Sequence, residues 1–216
     1  MSLIISKKNK YIFFHLPKNA GVSVSRALIK QEKKLQVKKI VTYFQKFFVK
    51  KKDGFYLSFN PFEFFFYNSH IPCYQFYNYF KNKSILDSYY KFAVVRNSWD
   101  RMVSRYFYSK KISRKFQSFS FEEFIDYDLK NNMHVLQQYE FCTSDKKNIC
   151  LDKIIIFESL EKDLDEVTLN LFGRTGLLTH DNKTDHKLYR EYYNSKLEKK
   201  IYNAFEKDIN FFKFSF

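Results

Sequence analysis

The 216-residue sequence predicts an α/β fold, a central and mainly parallel sheet flanked by helices on both faces, within a single domain spanning residues 1–216. Three observations predict it. Short apolar runs alternate with stretches of helical spacing, and no linker rich in Gly, Pro or Ser divides the chain. In addition, 45% of the residues are hydrophobic and 21% aromatic, enough for a sizeable core and too much for a disordered chain. With only four Gly and three Pro, collagen-like and linker-like sequence is excluded as well.

The elements follow in order. Tyr11–Leu16 (YIFFHL) reads as a strand that ends at Pro17 and Gly21, after which VSVSRALIK takes helical spacing. Residues 30–52 carry nine Lys against one acid, Glu32, which fits a solvated helix and loop or a surface that meets an anionic acceptor. GFYLSFNPFEFFFY (54–67) is strand-like with a break at Asn60-Pro61, and a strand is expected to end near His70. KFAVVR (91–96) is a buried-type strand that runs directly into the helix NSWDRMVSRYFYSKK. Ser120-Phe121-Glu122-Glu123 is a capping box opening a helix, and KIIIFE (153–158) is a third buried strand followed by a helix to Phe172. Ser195-Lys196-Leu197-Glu198 is expected to cap the last helix in the same way.

Lys and Arg number 38 against 23 Asp and Glu, a formal charge of +15 that attracts anionic partners. Seven of the 38 are Arg, and the excess of Lys, Asn, Phe, Tyr and Ile matches the codon bias of an A/T-rich genome, so part of the charge reflects drift. Cys73, Cys142 and Cys150 form no CxxC or Cys/His ligand pattern, and their odd number argues for a reducing compartment. There is no signal-peptide pattern and no apolar run near the roughly 20 residues that span a bilayer, so a cytoplasmic location is expected.

Ligands of open α/β sheets bind beyond the carboxyl ends of the strands. At the first such end stands PKNAGVS, with Pro17, Lys18, Asn19, Ala20, Gly21, Val22 and Ser23 entering a helix. Backbone N–H groups and the helix dipole make such a loop an anion cradle, and Lys18 adds a full charge. The GK[ST] ending of a Walker A loop is missing, and taken alone the segment is also compatible with an ordinary turn. At the second strand end comes VVRNSWDRMVSRY, in which Arg96 closes the strand and Ser104 follows about two helical turns later. Two anion sites on one sheet edge point to a ligand with two anionic groups.

These segments resemble those of the carbohydrate sulfotransferases that use 3′-phosphoadenosine 5′-phosphosulfate (PAPS), the group of heparan 2-O- and chondroitin sulfotransferases and short bacterial relatives. PKNAGVS is similar to their 5′-phosphosulfate loop and VVRNSWDRMVSRYF to their 3′-phosphate segment. FESLEKDL and the tail from NKTDHKLYREYY to Phe216 resemble later segments in the family's order. Val22 stands where a threonine is usual, and Ser98 where a proline is usual.

The resemblance implies a P-loop-like three-layer fold and a PAPS-dependent enzyme. Lys18 would contact the bridging oxygen and the sulfuryl group, while the backbone of residues 19–23 and the Ser23 hydroxyl would hold the 5′-phosphosulfate. Arg96 and Ser104 would hold the 3′-phosphate, and Lys183 with Thr184 would lie over the nucleotide. His70 resembles the family's base, and a histidine titrates near about 6.5, which suits the task. His134 is expected as a substrate contact, an alternative base or a structural imidazole, His15 as a core residue close to the site, and Trp99 as a packing anchor. His180 flanks the NKT segment, as does His186. No metal is called for. The implied partner is a carbohydrate acceptor, an anionic glycan by its charge complementarity, with no nucleic acid required. A basic nucleic-acid-binding protein and a P-loop kinase-like phosphotransferase stand as alternatives.

Overall fold

The computed structural model describes residues 3–6, 8–31, 49–52, 55–59, 64–67, 70, 72–79, 87–132, 137–145, 147–175, 178 and 186–216. Lys183, Thr184, His134, His180 and the Asn60-Pro61 break lie outside them. The strands are β1 (Leu3–Ser6), β2 (Tyr11–Phe14), β3 (Val49–Lys52), β4 (Phe55–Phe59), β5 (Phe64–Tyr67), β6 (Tyr90–Val95) and β7 (Lys153–Ile156). The described α-helices are α1 (Gly21–Gln31), α2 (Cys73–Tyr79), α3 (Ser98–Ile112), α4 (Phe121–Asn132), α5 (Gln138–Phe141), α6 (Leu160–Phe172), α7 (Ser195–Ala204) and α8 (Glu206–Phe212). The chain groups into two compact units, Met1–Val95 with Phe141–Asp181 and Arg96–Glu140 with Asn182–Phe216.

Among the described residues, the first unit holds a seven-stranded sheet in the order β3-β4-β5-β1-β2-β6-β7. The parallel relation expected from the sequence holds for β2, β6 and β7, which run side by side from Phe14↔Ala93 to Val95↔Ile156. The other four pairings, β3–β4, β4–β5, β5–β1 and β1–β2, are antiparallel. Connection length decides the β1–β2 pairing: residues 7–10 between them suffice only for a hairpin, whereas a parallel crossover takes a dozen or more. The helical α1 separates β2 from later strands, and β6 reaches β2 by such a crossover.

Residues alternate across the sheet. Ile4, Tyr11, Phe13, Phe92, Val94 and Ile155 form one face, which packs against Val24, Ala27 and Leu28 of α1 and Leu160, Leu164 and Val167 of α6. These helical positions recur at spacings of three and four, the apolar stripe that buries a helix on a sheet. The opposite face carries Phe14, whose ring meets Phe76 of α2 edge-on with centroids 5.3 Å apart. Helices thus pack against both faces of the sheet around β2, and the strand ends with their loops are where a site is sought.

The second unit is helical, built around Trp99, Met102 and Tyr106 of α3, Phe124 and Ile125 of α4, and Leu197, Ile201, Phe205 and Ile209. The capping box is present: Ser120 N donates to Glu123 Oε2 at 2.7 Å and Glu123 N to Ser120 Oγ at 3.3 Å. The cap of α7 is one residue earlier than expected. Asn194 accepts from Leu197 N at 2.9 Å, so Ser195 is the first helical residue instead of the cap.

Candidate anion-binding and catalytic site

The chain leaves β2 through His15, Leu16 and Pro17 and enters α1 at Gly21. Lys18 and Ala20 have φ of 66° and 56°, while Asn19 between them does not share that left-handed conformation. Alternating backbone hand turns successive N–H groups toward one side, the concavity that binds anions. Non-glycine residues adopt such angles at a cost of about 1–3 kcal/mol each, so surrounding contacts must hold them. One is the buried Asn19 side chain, whose Nδ2 donates to Val94 O at 2.8 Å and ties the loop to the end of β6. Sequence reasoning gave Asn19 a backbone role only; this side-chain tether links residues 75 apart and has no local signal.

Gly21 sits directly under an imidazole. A Cβ added there would stand 1.7 Å from His15 Cδ2 and 2.0 Å from His15 Nε2. The His15 ring stacks on Phe13, with centroids 6.2 Å apart and planes at 14°, and meets the His70 ring edge-on at 4.8 Å. His70 Nδ1 lies 2.8 Å from His15 O. A carbonyl oxygen only accepts, so Nδ1 carries the proton and, in the neutral ring, the lone pair is on Nε2. His70 and the lysine loop are thus joined through His15, which is buried as expected and also lines the junction. Lys18 is half-buried, Pro17 and Ser23 are buried and Val22 is exposed.

Arg96 follows the last residue of β6 and opens the second unit. Its Nε donates to Asp100 Oδ2 at 2.7 Å, one helical turn on. Asn97 caps α3 by accepting from Trp99 N at 3.0 Å, and Ser104 is buried one turn beyond Asp100 on the same side of the helix. The two arginines within this helix have different tasks. Arg105 forks onto Asp128 with bonds of 2.7 and 2.8 Å. Arg101 is buried, and burial, aided by the Arg105 charge, pulls its pKa down to about 9 while Asp208 opposes the shift.

Trp99 is a packing anchor: Nε1 donates to Glu198 O at 3.1 Å, its carbonyl accepts from Tyr193 Oη at 2.8 Å, and its ring meets Phe216 at 5.5 Å. Asn97 Nδ2 also donates to Ser215 O at 2.7 Å, so the aromatic tail braces the start of α3.

A family model described as the sulfotransferase family matches residues 1–215. The chain belongs to the sulfotransferase family. An uncharacterized protein of Archaeoglobus fulgidus is 35% identical over 89 residues, which cover 39% of this chain and 69% of that one. No solved structure matches the chain. The P-loop-like α/β fold expected from the sequence agrees with this membership, since the sulfotransferase has a strand, a tight turn and a helix at residues 11–31. Among its described residues no group of three or more His, Cys, Asp or Glu is placed to hold a metal ion, and no helix is long and apolar enough to cross a membrane.

Proposed function

We propose that this sulfotransferase transfers the sulfuryl group of PAPS to a carbohydrate hydroxyl, on an acidic oligo- or polysaccharide, and that its two units act as one domain. The observation that carries the reading is the loop of residues 17–23, with its alternating backbone hand, at the carboxyl end of a strand parallel to β6. Because β2 and β6 run parallel, Phe14 and Val95 end at the same sheet edge, and Arg96 is the next residue.

The residues fit the donor. A concave run of N–H groups with Lys18 suits the 5′-phosphosulfate, and Arg96, whose Nε donates to Asp100 Oδ2, would hold the 3′-phosphate together with Ser104. PAPS supplies a sulfuryl group on a good leaving phosphate. In transfer of that group to the acceptor hydroxyl, with adenosine 3′,5′-bisphosphate as the leaving group, His70 Nε2 would take the acceptor's proton. Lys18 neutralises the charge that grows on the bridging oxygen. The acceptor class rests on the charge of +15. Outside the described residues, Lys183 remains assigned to the nucleotide by resemblance alone.

Calorimetric titration with adenosine 3′,5′-bisphosphate and adenosine 5′-monophosphate tests the reading. The bisphosphate should bind more tightly by about 1.5–3 kcal/mol, and Arg96→Ala should erase that preference. Lys18→Ala should lower transfer to a polyanionic glycan by about 10²–10³. Equal weak binding of both nucleotides by the wild type would discard the reading, and binding of nucleic acid that the bisphosphate does not displace would favour the basic-binder alternative.

A further inference from the structure

We infer that Gln138 is a positioning residue for Arg96, and Asp208 for Gln138; the inference rests on the reading in which Arg96 holds the 3′-phosphate. Gln138 and Asp208 are both fully buried. Arg96 N donates to Gln138 Oε1 at 3.0 Å, and Gln138 Nε2 donates to Arg96 O at 2.8 Å. One side-chain amide thus pairs with both main-chain groups of Arg96, as a neighbouring strand would, just beyond Val95, the last paired residue of β6. The donor and acceptor of Arg96 fix which way the amide points.

Asp208 of α8 in turn holds Gln138. Its Oδ2 accepts from Gln138 N and its Oδ1 from Tyr139 N, each at 2.8 Å, so one carboxylate binds the first two N–H groups of α5. The Tyr139 ring packs on Phe211 at 4.7 Å, and Lys207 Nζ lies 4.3 Å from its centroid, which joins α5 to α8 on a second side. The path from α8 through α5 to the Arg96 backbone is short and without slack. Residue 96 leaves a strand and enters a helix, and at that transition Gln138 bonds both its main-chain groups. Asn would be one methylene too short and Leu could offer no bond. Without the clamp the Arg96 main chain would lose these two buried bonds and its guanidinium its fixed origin.

The test is the ratio of the dissociation constants of the monophosphate and the bisphosphate, measured by calorimetry on wild type, Gln138→Met, Asp208→Asn and Arg96→Ala, and on Gln138→Met combined with Arg96→Ala. Gln138→Met keeps the side-chain volume and loses both bonds. It should lower the ratio about tenfold, the value of one charge-assisted contact, while the monophosphate affinity stays within about twofold. Asp208→Asn keeps one acceptor and should show a smaller loss, and it decides the matter if Gln138→Met does not fold. In the Arg96→Ala background Gln138→Met should have no further effect on the ratio. An unchanged ratio in folded variants, an equal loss for both nucleotides, or simple additivity with Arg96→Ala would overturn the inference. A wild type with no preference for the bisphosphate would overturn the Arg96 reading itself, and the clamp with it, before any Gln138 variant is measured.

Discussion

At position 21 a single methyl group would occupy space already filled by the His15 ring. In Gly21→Ala the imidazole must leave its stack on Phe13 and its edge contact with His70, and the His15 carbonyl that holds His70 Nδ1 belongs to the same residue. The expected result is a loss of transfer rate of about 10², the scale of a 1 Å misplacement of a reacting group, with nucleotide affinity less affected. Transfer assays beside nucleotide titration would show this split, and an unaltered rate would detach His70 from the chemistry. The sequence made Gly21 legible as a glycine beside a phosphate-type loop, yet the obstacle it avoids is His15, six residues earlier. Such ring contacts depend on the turn between them, and no spacing rule exposes it.

Among the elements, α3 carries most of the second segment and starts at Ser98, the site where a proline is usual in the resemblance. The Ser98 hydroxyl is buried and has no hydrogen-bond partner among the described residues. Asn97 before it has ψ of 126°, the extended conformation that a residue preceding proline requires, and the first helical N–H is not needed within the helix. Ser98→Pro should therefore stabilise the protein by about 0.4–1 kcal/mol, through a stiffer unfolded chain and removal of a stranded hydroxyl, as seen in the urea midpoint at constant slope. A lower midpoint would mean that the ring clashes or that the hydroxyl has a partner. Elements with strong periodicity, such as α3 and the helix after KIIIFE, were legible almost to the residue. The short ones were not: α2 and α5 have seven and four residues, too few for a period, and α5 is held by the distant Asp208 carboxylate.

For the molecule as a whole, strand–helix alternation revealed the parallel β2-β6-β7 segment, where Lys18 and Arg96 take their places at strand ends. It did not reveal that four of the six pairings among the described residues are antiparallel, because β1 (LIIS) is a four-residue run with no turn dipeptide behind it. Nor could composition separate useful charge from codon drift, since both enrich Lys.

The β1–β2 hairpin stands in the middle of that sheet, with β5 on one side and β6 on the other. Its two strands are neighbours in sequence and meet within about 1–10 μs, whereas both outer partners come from much later in the chain and meet it more slowly. Until they do, LIIS and YIFF present two open, apolar edges to any other chain. Folding is then a race between self-completion and capture by a second copy. Refolding yield should fall as protein concentration rises and recover on dilution, a dependence that light scattering during refolding would follow; a yield independent of concentration would mean that the later strands close the hairpin first.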